Sequence, residues 1–198
     1  MPATVNPRKR PRQARSRATV EAILEAAARI LEEGGAAACT TNAVAARAGV
    51  SIGSLYQYFP GRDALVAALV RSTSANLLAE LEAAARCNDT EPDARLEAMV
   101  AAAVAHQLDR PRLARVLDLE EGRLPLDREA AAGTQAILDC VATGTNLPPD
   151  LARDCLGIAR GMIDMAGASG ETGHAALAAR VGMAVRGYLR ERGAWSGT

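Results

Sequence analysis

The chain has 198 residues, 49% hydrophobic but only 3% aromatic, with 23 basic and 23 acidic side chains and alanine at 44 positions. That apolar content supports one or two folded domains and excludes a disordered chain. The alanine surplus and the scattering of β-branched residues point to helices rather than strands. Cys39, Cys87, Cys140 and Cys155 lie far apart with no C-x-x-C pair, which argues against a zinc site and against a secreted disulfide framework. No continuous apolar run approaches the ~20 residues that span a bilayer, and no apolar stretch follows the arginine-rich start as a signal peptide requires. A cytoplasmic protein with no membrane contact, no metal and no cofactor is the expectation.

Residues 1–18 are read as a flexible basic arm, with Arg8, Lys9, Arg10, Arg12, Arg15 and Arg17, three prolines and no acid. Ser16 or Thr19 can cap a first helix to about Glu33, where Ile23, Ala27, Ile30 and Leu31 form one apolar stripe and Gly34-Gly35 stops it. Thr40 or Thr41 caps a short helix to about Arg47, and Ala48-Gly49-Val50-Ser51 makes a tight turn. A third helix follows Ser51 and ends near Phe59-Pro60-Gly61. A long fourth helix covers about 63–87, with Leu65, Leu69, Thr73, Leu77 and Leu81 at helical spacing. Five further helices are predicted near 93–107, 110–120, 127–143, 149–168 and 174–192, each bounded by Gly, Pro or Asp breaks. The fold class is therefore all-α, with about nine helices and a compact N-terminal trio. This divides the chain into the arm, a domain at 19–62 and a helical domain at 63–198, connected by the fourth helix.

Zero net charge conceals an asymmetry. Residues 1–62 hold nine Arg or Lys against four Glu, a balance of +5, and residues 63–198 hold fourteen against nineteen, a balance of −5. A basic front half suits a polyanion that the acidic remainder would repel. Thr40–Arg62 shows how it could be bound. Two short helices joined by a four-residue turn cross steeply, so small residues are needed where they meet: Ala45 supplies one and Gly49 the corner, over a small core of Val44, Val50 and Leu55. This is the pattern of a helix-turn-helix, whose second helix enters the DNA major groove. Thr41, at a helix N-terminus, together with Tyr56, Tyr58 and Arg62, are candidate phosphate anchors. Asn42, Ser54, Gln57 and Ile52 are candidates for base edges, since Asn and Gln pair bidentately with adenine and Ile suits a thymine methyl.

The stretch AVAARAGVSIGSLYQYFPGRDAL closely resembles the signature of TetR-family (tetracycline-repressor-like) regulators. A small-residue helix, AGVS, an LYxYF block and a basic residue before a leucine-bearing helix agree in order and spacing over roughly residues 17–70. Arg62 stands where the family usually has Lys, and Asn42-Ala43 where it often has charge. The resemblance implies a bacterial, all-α homodimeric repressor, joined through its last two long helices, that binds a palindromic double-stranded operator. It also implies a small-molecule effector bound among the central helices, whose binding moves the fourth helix.

Thr73, Asn76, His106, Gln107, Asp118 and Glu121 are polar residues on otherwise apolar helices and are the candidates for the effector site. With so few aromatics, Leu, Met, Val and Ala would line such a pocket and favour a hydrophobic ligand. Gly157, Gly161 and Ala168 with Met162 and Met165, and the stripe Leu177, Val181, Val185 and Tyr188, are candidates either for a dimer interface or for the intramolecular core. Asp118, Glu120 and Glu121 read as an exposed acidic helix end, because no nucleophile, partner His or phosphate loop accompanies them. No catalytic residue is assigned. A helical scaffold that binds protein partners, or an acidic surface, instead of DNA is the alternative that basic patches leave open, and activation remains an alternative to repression.

Overall fold

The computed structural model describes residues 14–87 and 91–195. Among them the elements are helices throughout: α1 (Ala14–Ala38), α2 (Thr41–Ala48), α3 (Ile52–Tyr58), α4 (Arg62–Cys87), α5 (Pro92–Leu108), α6 (Pro111–Glu121), α7 (Asp127–Thr145), α8 (Pro149–Ser169) and α9 (His174–Glu191). Most ends fall within two residues of the sequence reading, because the signals that end helices are local. Thr40 caps α2 by accepting from the Ala43 N–H, and Ser51 caps α3 by accepting from the Ser54 N–H. Proline occupies the first turn of α5 and of α8, where its missing N–H costs nothing.

Helix α1 departs most from expectation. It is already helical at Ala14, ahead of both proposed caps, so residues 14–18 are helix rather than arm; residues 1–13 of the predicted arm lie outside the described residues. At its far end Gly35, at φ 70° and ψ −170°, interrupts the helix where a stop was expected, and a further turn reaches Ala38.

The chain divides into two compact units. The first takes residues up to Thr73 together with Arg112–Asp127, and so is larger than the 19–62 domain read from sequence. Its core joins Ile23, Ala27 and Leu31 of α1, Val44 and Ala45 of α2, Leu55 of α3, Phe59, and Leu65, Val66 and Leu69 of α4. Leu113, Leu117, Leu124 and Leu126 complete it from the second segment. By length and composition alone, residues 62–86 of α4 could cross a bilayer, an amendment to the sequence reading. The apolar side chains of its first half are instead spent on this core, with Ala64, Leu65, Val66 and Ala67 fully buried.

The second unit holds Ser74–Pro111 and Arg128–Thr198. Here α5, α8 and α9 pack on one another around Leu96, Val100, Val104, Leu151, Cys155, Ile163, Leu177, Val181, Val185 and Leu189. The α9 stripe Leu177, Val181 and Val185 is thus intramolecular core, which resolves the choice left open by the sequence. The exposed faces carry other residues: Gly157, Gly161, Met165 and Ala168 on α8, and Ala176, Ala179, Met183 and Gly187 on α9.

Candidate nucleic-acid interface

The site is built on α2, the turn after it, α3 and the start of α4, all within the first unit. Gly49 ends α2 in the left-handed region (φ 67°, ψ 28°), its N–H directed at the carbonyls of Ala45 and Ala46, and the Val50 N–H returns to the Ala45 carbonyl. That reversal sends the chain into Ser51, which caps α3. Of the seven residues of α3, Leu55 alone is fully buried. Anchoring α3 on Leu55, with Phe59 behind it, turns Ile52, Tyr56 and Gln57 outward. Tyr56 is 41% exposed and Ile52 39%, so α3 presents two large side chains to solvent. A separate brace fixes α2 to α1: Arg47 forms a two-pronged bond to Glu33.

The predicted phosphate anchors fall into two groups. Thr41 Oγ1 and the Tyr56 hydroxyl lie 3.4 Å apart, so α2 and α3 bring two hydroxyls to one point on the surface. Tyr58 is half-buried, and its hydroxyl donates to Ser16 Oγ of α1 at 3.4 Å. Arg62, read from the sequence as a phosphate anchor, is paired within the protein. Its Nη2 donates to Glu120 Oε2 at 2.7 Å and to the Ala36 carbonyl at 3.2 Å, and its Nη1 lies 3.5 Å from Asp63. Burial alone would lower its pKa, but the hydrogen bond and charge of Glu120, with smaller help from Cys39 and Asp63, raise it overall, so Arg62 stays charged.

Of the candidate base readers, Asn42 and Gln57 are exposed. Ser54 is half-buried, with its hydroxyl 2.8 Å from that of Ser51, so the cap that starts α3 already occupies it.

Glu120 is the residue that sequence reasoning misplaced. It was read as part of an exposed acidic end, yet it is 2% exposed, and it also accepts from Arg123 at 3.1 Å. Asp118 is exposed and Glu121 half-buried, so the cluster is not a single solvated patch. Helical spacing held the signal: Leu113, Leu117 and Glu120 fall at i, i+4 and i+7 of α6, which puts a carboxylate on its apolar stripe. Around it opens a cleft of about 840 Å³, lined by Cys39, Thr40, Thr41, Tyr56, Arg62, Asp63 and Arg123 among others.

The candidate effector residues divide between the two units. Thr73 and Glu121 are half-buried in the first, and neither lines that cleft. In the second, Asn76 is exposed, His106 Nδ1 lies 2.9 Å from Glu80 Oε2, and the Gln107 side chain packs against Gly167. Among the described residues no three His, Cys, Asp or Glu side chains gather as a metal site would require.

Residues 23–69 match the family model described as bacterial regulatory proteins, tetR family. No curated protein matches the chain in sequence. Solved structures similar in fold include a protein of Mesorhizobium loti described as a tetR-family transcriptional regulator, with a TM-score of 0.77 at 18% identity over 90% of this chain and 98% of that one. The fatty acid degradation regulator FadR of Bacillus halodurans is similar with a TM-score of 0.72 at 18% identity, over 89% and 96%. A SmeT–triclosan complex gives 0.59 at 24% identity, over 84% and 90%. Residues 23–69 thus match the N-terminal DNA-binding segment of bacterial regulatory proteins of the tetR family, and the all-helical chain shares its fold with solved structures described as regulators of that family.

Proposed function

We propose that the protein is a homodimeric repressor that binds a palindromic operator through α3 and releases it when a small molecule binds the helical domain. The observation that carries the DNA-binding mode is α3 itself: one buried leucine beneath an outward row of Ile52, Tyr56 and Gln57, with Thr41 beside the Tyr56 hydroxyl. Tyr56, Thr41, Tyr58 and Arg62 grip phosphates and set the register, while Gln57 and Asn42 read base edges. Ser54 contributes through its cap more than through bases.

Dimerisation is supported by the outer faces of α8 and α9, where glycines and alanines flank Met165 (70% exposed) and Met183 (67% exposed). Small residues permit close approach of a second pair of helices, and methionines fill the gaps between them. The effector reading draws on the triclosan bound by SmeT and the fatty acid degradation role of FadR, each a property of that protein. An apolar small molecule, received by the aliphatic second unit, is the matching class here.

Selection of duplexes from random DNA by the purified protein, followed by footprinting, tests this reading. Two inverted half-sites, with centres about one helical turn or a multiple apart, are expected for a two-fold dimer. Enrichment of no sequence, with the protein dimeric and folded, would refute it.

A further inference from the structure

The buried carboxylate of Glu120 has no place in the DNA-binding scheme, although it lies in the same compact unit and 2.7 Å from a residue of it. Its two oxygens are divided: Oε2 takes Arg62 and Oε1 takes Arg123. The two arginines differ. The Arg62 side chain is 32% exposed and also tied to the Ala36 carbonyl, whereas that of Arg123 is 72% exposed. Both line the cleft that holds Thr41 and Tyr56.

A carboxylate and a phosphate offer a guanidinium the same chemistry, two anionic oxygens on a planar or tetrahedral centre. We propose that Glu120 is an intramolecular competitor for Arg62, holding the guanidinium that a DNA phosphate would take and thereby setting how tightly the protein grips DNA. Arg123 makes the exchange feasible. A buried carboxylate stripped of its only partner carries a large desolvation penalty, but when Arg62 turns to a phosphate, Arg123 stays on Oε1. Glu120 is a positioning residue in this scheme and touches no DNA. The proposal rests on Arg62 being a phosphate contact in the bound state, and the test separates the two.

Binding of full-length protein to a labelled random-sequence duplex is measured across a salt series, because phosphate contacts dominate such binding. Glu120→Gln should bind about tenfold tighter, the scale of one charge-assisted hydrogen bond no longer broken on binding. Its salt slope should not change, since the number of phosphates contacted is the same. Arg62→Ala should bind more weakly and lose about 0.9 of slope per protomer, and adding Glu120→Gln to it should gain nothing. An equal gain in both backgrounds would mean simple removal of a negative charge and would overturn the competitor. Weakening by Arg62→Ala with no gain from Glu120→Gln would leave the phosphate contact standing and remove the competition. Arg62→Ala with unchanged affinity and slope would refute the contact itself, and the proposal with it. Circular dichroism melts check folding. Glu120→Asp keeps the charge but shortens its reach, so it serves as a second variant with the same expected gain if the glutamine variant does not fold.

Discussion

Leu55→Ala separates the seat of the recognition helix from the stability of the whole chain. Leu55 has no exposed surface and is the one fully buried residue among the seven of α3. Deleting a buried leucine side chain to alanine costs about 3 kcal/mol, from lost transfer energy plus the cavity left behind. That is a large share of the roughly 5–15 kcal/mol by which domains are stable. A helix of two turns is not stable by itself in water, so the loss should fall first on α3 and only then on the rest of the first unit. Urea melts report the global cost, and hydrogen exchange on amides of residues 52–59 reports the local one. Leu96→Ala, at a site 4% exposed in the second unit, is the matched control. Both variants should lose comparable global stability. Leu55→Ala alone should lose protection across α3, and its DNA affinity should fall at least tenfold under conditions where it remains folded. Full DNA affinity in a folded Leu55→Ala variant, or a loss of stability well below 1 kcal/mol, would refute the claim that this one side chain seats the recognition surface.

Gly49→Ala should destabilise by about 1 kcal/mol, since a left-handed backbone costs an L-residue about 1–2 kcal/mol and part is returned by a stiffer unfolded chain. A Cβ at Gly49 meets open space, so the cost is conformational and Gly49→Asn should lose less; chemical melts of the three proteins check both. The Glu33 carboxyl is held below the usual carboxylate range, chiefly by its hydrogen bond from Arg47, against an opposing push from burial. A folded-state pKa below the unfolded one adds stability that is present above the ordinary carboxylate value and is lost as pH falls through the lowered one. Thermal melts of wild type and Glu33→Gln should therefore differ slightly near neutrality and converge in acid, the difference being small because this brace is largely exposed.

The fold was largely legible in the sequence because its information is local. Caps at Thr40 and Ser51, the Gly49 corner, prolines at helix starts and apolar stripes act over four to eight residues, and a reader of the sequence meets them in that form. The outward placement of Tyr56 and Gln57 followed from Leu55 by helical spacing alone. What was not legible depended on partners remote in sequence. Arg62 is taken up by Glu120, 58 positions away, and nothing near Arg62 announces it. Glu120 could have been suspected from its spacing behind Leu113 and Leu117, yet its acidic neighbours Asp118 and Glu121 made the helix end look solvated. The stripe on α9 carried the spacing of an interface and of a core alike, and only the packing of α5 and α8 against it decides for core.

That α3 reads DNA while the Tyr56 hydroxyl holds the backbone is the proposed binding mode. It is tested most directly by anisotropy titrations of wild type, Tyr56→Ala and Gln57→Ala against a selected operator duplex and a scrambled one, across a salt series. Wild type should prefer the operator, with log affinity falling linearly against log salt concentration. Tyr56→Ala should weaken both duplexes by a similar factor, and Gln57→Ala should narrow the preference between them. Binding that ignores sequence in the wild type, or that neither substitution changes, would contradict the account.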